Sequence, residues 1–206
     1  MVGDCVFCDK SKFEERLVGE TKDFWIIATL GQISDGGYVL LVPKKHVECV
    51  GAMTSKEVGL LDKLGVKTCD ALIQEYGIAT DIIFFEHGIV GQTIKHAHLH
   101  IVPAIEIIAN RIYDDFPKND VSCIVSLSDF RNNLYSKRKE PYLLWNDLWG
   151  MKVCWNPPAP PQYLRIVVAE ALGRPERGNW RNMDPELDKK LWTETVMLLK
   201  PYFSLL

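Results

Sequence analysis

The chain has 206 residues, 47% hydrophobic and 25% charged, enough to bury a sizeable core as one elaborated domain or two small ones. A formal net charge of −3 with intermingled signs provides no broad basic footprint for duplex nucleic acid or an anionic membrane, so any anionic ligand must be met by a local site. No charged leader precedes Cys5 and no apolar run is long enough to span a bilayer, so the expectation is a cytoplasmic protein.

In chain order, Cys5-Val6-Phe7-Cys8 comes first, the one spaced cysteine pair; Cys49, Cys69, Cys123 and Cys154 are scattered in apolar surroundings and read as buried thiols. Phe24-Trp25-Ile26-Ile27 and Tyr38-Val39-Leu40-Leu41-Val42 read as strands joined by the turn-rich Ser34-Asp35-Gly36-Gly37. Thr54 with Glu57 three residues on is a capping-box start, and Leu61, Leu64, Thr68, Leu72 and Tyr76 hold helical spacing until Gly77, which predicts a long helix over about 55–76. Asp81 to Phe85 reads as a strand, Gly88 and Gly91 punctuate a loop, and Ile94-Lys95-His96-Ala97-His98-Leu99-His100-Ile101-Val102 reads as another strand. Several strands with one intervening helix point to an antiparallel α+β sheet rather than alternating βαβ units.

Past Pro103, a polar stretch around 111–118 leads to a short helix near 127–135 and a hairpin of Tyr142 to Trp145 with Lys152 to Trp155, turning near Gly150. Pro157-Pro158-Ala159-Pro160-Pro161 is an extended connection. Tyr163 to Leu172 reads as a helix stopped by Gly173, and Asp184-Pro185 starts a final helix with Asp184 as N-cap and Pro185 at N1.

Strict alternation places His96, His98 and His100 on one face of an extended segment, with Ala97, Leu99 and Ile101 on the other. Neutral imidazoles can attack phosphorus, accept a proton or bind zinc, and clustering lets them divide these roles. The residues alone leave three readings open: catalysis, a metal site using all three histidines, and a surface strand without special chemistry. Cys5 and Cys8 are spaced for zinc, and His46 and His96 are the candidates to complete a tetrahedral set.

His96-Ala97-His98-Leu99-His100-Ile101-Val102, with Gly91 to Lys95 upstream, Val42-Pro43-Lys44-Lys45-His46 and Cys5-Val6-Phe7-Cys8, resembles the histidine triad (HIT) family of nucleotide hydrolases and transferases. The resemblance implies a HIT-like antiparallel sheet with a long helix over residues 1–105, with 106–206 as a C-terminal extension of hairpin and helices. It implies His98 as the nucleophile at an α-phosphorus, His100 as the phosphate contact, and Gln92 and Thr93 as polar contacts to phosphates and leaving group. It also implies a structural zinc held by Cys5, Cys8, His46 and His96. The implied activity is cleavage of a phosphoanhydride or phosphoramidate bond in a small nucleotide substrate, through a nucleotidyl-histidine intermediate. Family members pair into homodimers, and the added C-terminal half leaves monomer and homodimer both open.

The chain departs from the family pattern in places. Tyr38 stands where a histidine often accompanies the triad, although its hydroxyl can still donate a hydrogen bond. Ala28-Thr29-Leu30 lacks the acidic residue that holds ribose hydroxyls, which leaves Glu86 as a ribose contact or a turn cap, and His87 as loop. Phe7, Trp25 and Ile27 are candidates to wall a base pocket. Arg165 and the run Gly173 to Arg181 offer guanidiniums and a tryptophan that either extend the nucleotide site or form a solvated turn. These departures keep a second reading open, a weakly active nucleotide-binding regulatory protein with structural zinc.

Overall fold

The computed structural model of the protein describes residues 5–77, 82–104, 108–147 and 150–204. Its centre is one antiparallel sheet of eight strands in the order β1-β2-β3-β5-β4-β7-β8-β6. The strands are β1 (Leu17–Glu20), β2 (Phe24–Ala28), β3 (Val39–Pro43), β4 (Ile82–Gly88), β5 (Leu99–Pro103), β6 (Val121–Ile124), β7 (Tyr142–Asp147) and β8 (Gly150–Trp155). β4 and β7 pair through Phe85↔Trp145 and His87↔Leu143, so strands from the first and second halves of the chain share one sheet.

The side-chain period of two sorts these strands into two cores. Val39, Leu41, Leu99, Ile101, Tyr142 and Leu144 face one side, where they meet α1 (Ser55–Tyr76), α6 (Pro185–Phe203) and a helical stretch over 127–138. That stretch comprises α3 (Leu127–Asp129), a π-helical segment Phe130–Tyr135 and α4 (Ser136–Arg138). Leu40, Val42, Ile83, Phe85, Val102, Leu143 and Trp145 face the other side, under α2 (Ala109–Asp115), α5 (Tyr163–Ala171) and the N-terminal 3-10 turns that bring in Phe7 and Phe13.

The helix predicted over 55–76 forms with those bounds, because Thr54 accepts from Glu57 N, the Glu57 carboxylate accepts from Thr54 N, and Gly77 ends it in the left-handed conformation at φ 60°. Asp184 caps α6 as expected, accepting from Leu187 N, with Pro185 in the first turn. The Tyr142 to Trp155 hairpin also forms. Asp81 lies outside the described residues, and β4 begins at Ile82.

Three expectations need correction. The histidine segment is a strand only from Leu99: His96 N bonds back to the Ile94 carbonyl in a bend and Ala97 N bonds to the Val47 carbonyl, so His96 and His98 lie in the irregular segment that leads into β5. His87 is not in a loop but in β4, followed by Gly88. Cys123 is exposed and Cys69 half-buried, because β6 is an edge strand and Cys69 lies at the margin of the α1 interface, while Cys49 and Cys154 are buried. The polar stretch around 111–118 contains α2, and β1 and β6 also form, both too short to leave a strong pattern.

Candidate functional site

At the N-terminal side of the triad, four side chains from distant segments converge. Cys5 precedes and Cys8 ends the Val6–Cys8 turn, His46 follows β3, and His96 precedes β5; one ligand atom from each lies within 4.8 Å of all the others. Cys5 Sγ is 3.3 Å from His96 Nδ1, and Cys8 Sγ is 3.4 Å from His46 Nδ1 and 3.6 Å from His96 Nδ1. His96 Nε2 lies 2.8 Å from the Pro43 carbonyl and must donate to it, which leaves the Nδ1 lone pair facing the thiols. Burial also holds the His96 ring neutral by lowering its pKa. Two soft sulfurs and a pre-oriented neutral imidazole, with a fourth ligand from His46, match tetrahedral zinc.

Two residues on, His98 enters a cleft of about 450 Å³. Its Nδ1–H donates to the His96 carbonyl at 2.6 Å, so the Nε2 carries the lone pair. Burial pushes its pKa down to about 4, against which the carbonyl bond works, so the ring is neutral at pH 7. Phe7 packs on this ring at 5.3 Å between centroids. His100 follows on β5, stacked on Phe85 at 4.3 Å and 11° and paired in register with Leu40 and Phe85. Burial drives its pKa well below the usual histidine value, and neighbouring His98, His87 and Arg165 add to this.

Tyr38 sits behind His100, with its hydroxyl 2.5 Å from Nδ1. Arg165, from α5, donates through Nη1 to that hydroxyl at 3.0 Å and through Nη2 to the Gly31 carbonyl at 2.9 Å. Gly31 makes this approach feasible: at φ 69°, a Cβ there would fall 2.5 Å from Trp180 Cβ and 2.7 Å from Arg165 Nη2. His87 on β4 accepts from Leu164 N at 3.0 Å, at the start of α5, and burial lowers its pKa to about 3. The sequence signal that could have placed His87 was its parity with Ile83 and Phe85.

The cleft brings together His98, His100, Gln92, Thr93 and Arg165. Gln92 is anchored by its Nε2 to the Glu48 carbonyl at 2.8 Å. Glu86 is not with them. One residue out of phase with His87, it points to the opposite face of the sheet, where it accepts from Val50 N at 2.7 Å and from the Tyr142 hydroxyl at 2.5 Å. A ribose contact from Glu86 is thereby ruled out, since the sheet lies between it and the cleft. Of the base-pocket candidates, Phe7 lines the cleft, Ile27 is buried in the core on that side of the sheet, and Trp25 stands apart against Phe13 with Lys44 Nζ 3.9 Å over its ring. The arginine-rich run divides: Arg174 and Arg177 pair with Asp35, while Trp180 and Arg181 line the cleft, the guanidinium 4.4 Å from the indole centroid. Lys12 and Arg16 complete the cationic lining, and no carboxylate contributes to the wall among the described residues.

Residues 4–110 match the family described as scavenger mRNA decapping enzyme C-terminal binding. The chain is 30% identical over 107 residues to an uncharacterized HIT-like protein of Mycoplasma genitalium, covering 50% of this chain and 74% of that protein. The chain belongs to the histidine triad family. A second uncharacterized HIT-like protein, from Methanocaldococcus jannaschii, is 31% identical over 104 residues, covering 50% of this chain and 80% of that protein. Among solved structures, a zinc-bound histidine triad family protein of Mycobacterium smegmatis is similar at 22% identity and TM-score 0.45, over 50% of this chain and 76% of that one. A HIT family member from Bacillus subtilis is similar at 24% identity and TM-score 0.44, over 48% and 72%. The histidine triad family binds nucleotides. Among the described residues no helix is long and apolar enough to cross a membrane.

Proposed function

We propose that the protein is a nucleotide hydrolase or nucleotidyltransferase that cleaves at the α-phosphorus of a nucleoside phosphate derivative, with His98 as nucleophile. The observation that carries this reading is the 2.6 Å bond from His98 Nδ1 to the His96 carbonyl, which leaves a neutral ring with its Nε2 lone pair free in a cation-lined cleft. His98 Nε2 forms the bond to phosphorus while the bond to the leaving group breaks and its electron pair departs with that group. Water or another acceptor then displaces the nucleotide and restores the imidazole. His100 serves as phosphate contact, and Gln92 and Thr93 hold phosphates or leaving group.

Lys12, Arg16, Arg165 and Arg181, with no facing carboxylate among the described lining residues, favour a substrate carrying more than one phosphate, so a dinucleoside polyphosphate suits the cleft better than a phosphoramidate. Trp180 offers a face for an aromatic base on the leaving side. Cys5, Cys8, His46 and His96 would hold a structural zinc that ties the N-terminal turn to the strand carrying the histidines.

The test is trapping with an α-phosphorus-labelled nucleotide substrate. The parent protein is expected to carry acid-labile label on His98, and His98→Ala to retain nucleotide binding without label or turnover. Equal absence of adduct and turnover in both proteins, across polyphosphate and phosphoramidate substrates, would overturn the catalytic reading in favour of a nucleotide-binding regulator. Arg181→Ala is expected to raise KM for a dinucleoside polyphosphate roughly tenfold, the effect of losing one charge-assisted contact, while changing phosphoramidate turnover little.

A further inference from the structure

His100 is a buried ring with an incomplete set of partners. Its Nδ1 is 2.5 Å from the Tyr38 hydroxyl, and its Nε2 is buried with no hydrogen-bond partner among the described residues. Which nitrogen carries the proton follows from the groups behind it. Arg165 can only donate, so the Tyr38 oxygen accepts from Nη1 and keeps its own proton. Among the described residues the acceptor within reach of that proton is His100 Nδ1. The neutral ring must then carry its hydrogen on Nε2.

Three further constraints hold this arrangement. Phe85 stacks on His100 at 11°, which fixes the ring plane. Tyr38 is fully buried, and burial raises its pKa to about 12, so it stays a protonated donor. Arg165 is itself tied by the Gly31 carbonyl and is only 5% exposed. An unpaired buried N–H costs free energy unless something accepts from it, and His100 lines the cleft in which a phosphate oxygen would supply that acceptor.

We propose that Tyr38 and Arg165 are positioning residues that lock His100 as its Nε2–H tautomer, a fixed neutral donor awaiting an anionic acceptor, so that the C-terminal segment completes the triad. This rests on the functional reading above only for the identity of the acceptor; the tautomer itself does not. A histidine without that lock could place its proton on either nitrogen and would present a lone pair to the phosphate in part of the population. The cost would fall on the chemical step, because a preorganised donor matters most where negative charge grows.

The experiment is nitrogen-15 NMR of the histidine rings in the full chain, combined with steady-state kinetics. In the parent protein His100 is expected as the Nε2–H tautomer across pH 6–8; a proton on Nδ1 would overturn the proposal outright, whether or not any substrate is turned over. Tyr38→Phe is expected to mix the tautomers and to lower kcat roughly tenfold with KM little changed, while Tyr38→His, which restores a donor, recovers most of the loss. Arg165→Met leaves the Tyr38 hydroxyl free to rotate and should shift the same signals. Unchanged His100 signals and unchanged kcat in both Tyr38→Phe and Arg165→Met would sink the proposal. A parent chain with the expected tautomer but no turnover would instead reject the functional reading alone.

Discussion

At the scale of single residues, hydrogen bonding assigns neighbouring imidazoles to different work. His96 donates through Nε2 to Pro43 and turns Nδ1 to the cysteines, whereas His98 donates through Nδ1 to the His96 carbonyl and keeps Nε2 free. Cys5→Ser is therefore expected to abolish stoichiometric zinc in protein purified without an affinity tag, measured by elemental analysis, and to lower the melting temperature as chelation does. Zinc-free parent protein with an unchanged melt in Cys5→Ser would remove the proposed metal site. Glu86 supports a prediction of a different kind. Burial raises its pKa to about 7, against the two hydrogen bonds that favour the carboxylate. Its folded pKa thus exceeds its unfolded value, so the folded state holds its proton more tightly. The contribution is fully present below about pH 4.5 and lost as pH rises through about 7. Denaturation midpoints of parent and Glu86→Gln measured from pH 4 to 8 should diverge in that window, with the parent losing stability relative to the variant as pH rises.

At the scale of elements, what could be read in advance was what local chemistry decides. Thr54 and Glu57 announce α1 because both halves of the capping box lie within one turn, and Asp184-Pro185 announces α6 for the same reason. Thr54→Ala is expected to cost about 1 kcal/mol by urea denaturation, the usual worth of such a cap, and a loss under a few tenths would show that α1 is held by packing alone. Placing Glu86 and His87 required the phase of β4, which Phe85↔His100 and Phe85↔Trp145 pairing set across two neighbouring strands. Parity groups His87 with Ile83 and Phe85, but only the neighbouring strands decide which core that face meets. The hydrogen bonds Arg165 to Tyr38, 127 residues apart, and Leu164 to His87, 77 apart, were illegible for the same reason, although the residue types hinted at a phosphate site.

At the scale of the whole molecule, the continuous sheet sets how far the chain can be divided. β7 covers the edge of β4, and α5 covers the face that carries His87, Phe85 and His100. A fragment of residues 1–105 would expose β4 as a bare edge with Phe85 beside it. It is expected to aggregate on expression, and a monomeric fragment with full turnover would show instead that residues 106–206 are dispensable. The larger core contains Phe130, packed at 4.7 Å on Tyr142 and 5.9 Å on Trp155. Phe130→Ala is expected to cost about 3–5 kcal/mol by denaturant titration, as large-to-small changes at such buried aromatics do.

The hydrogen bond from Arg165 to Tyr38 also has a consequence during synthesis. A growing chain carries all three triad histidines once residue 100 has been added, yet the guanidinium that supports the Tyr38 hydroxyl comes much later, and Trp180 and Arg181 later still. Closing such distant contacts is costly in chain entropy and waits on the sheet that brings them together. The nascent chain therefore carries the three triad histidines well before it carries Arg165, Trp180 and Arg181, the residues that would complete the proposed site.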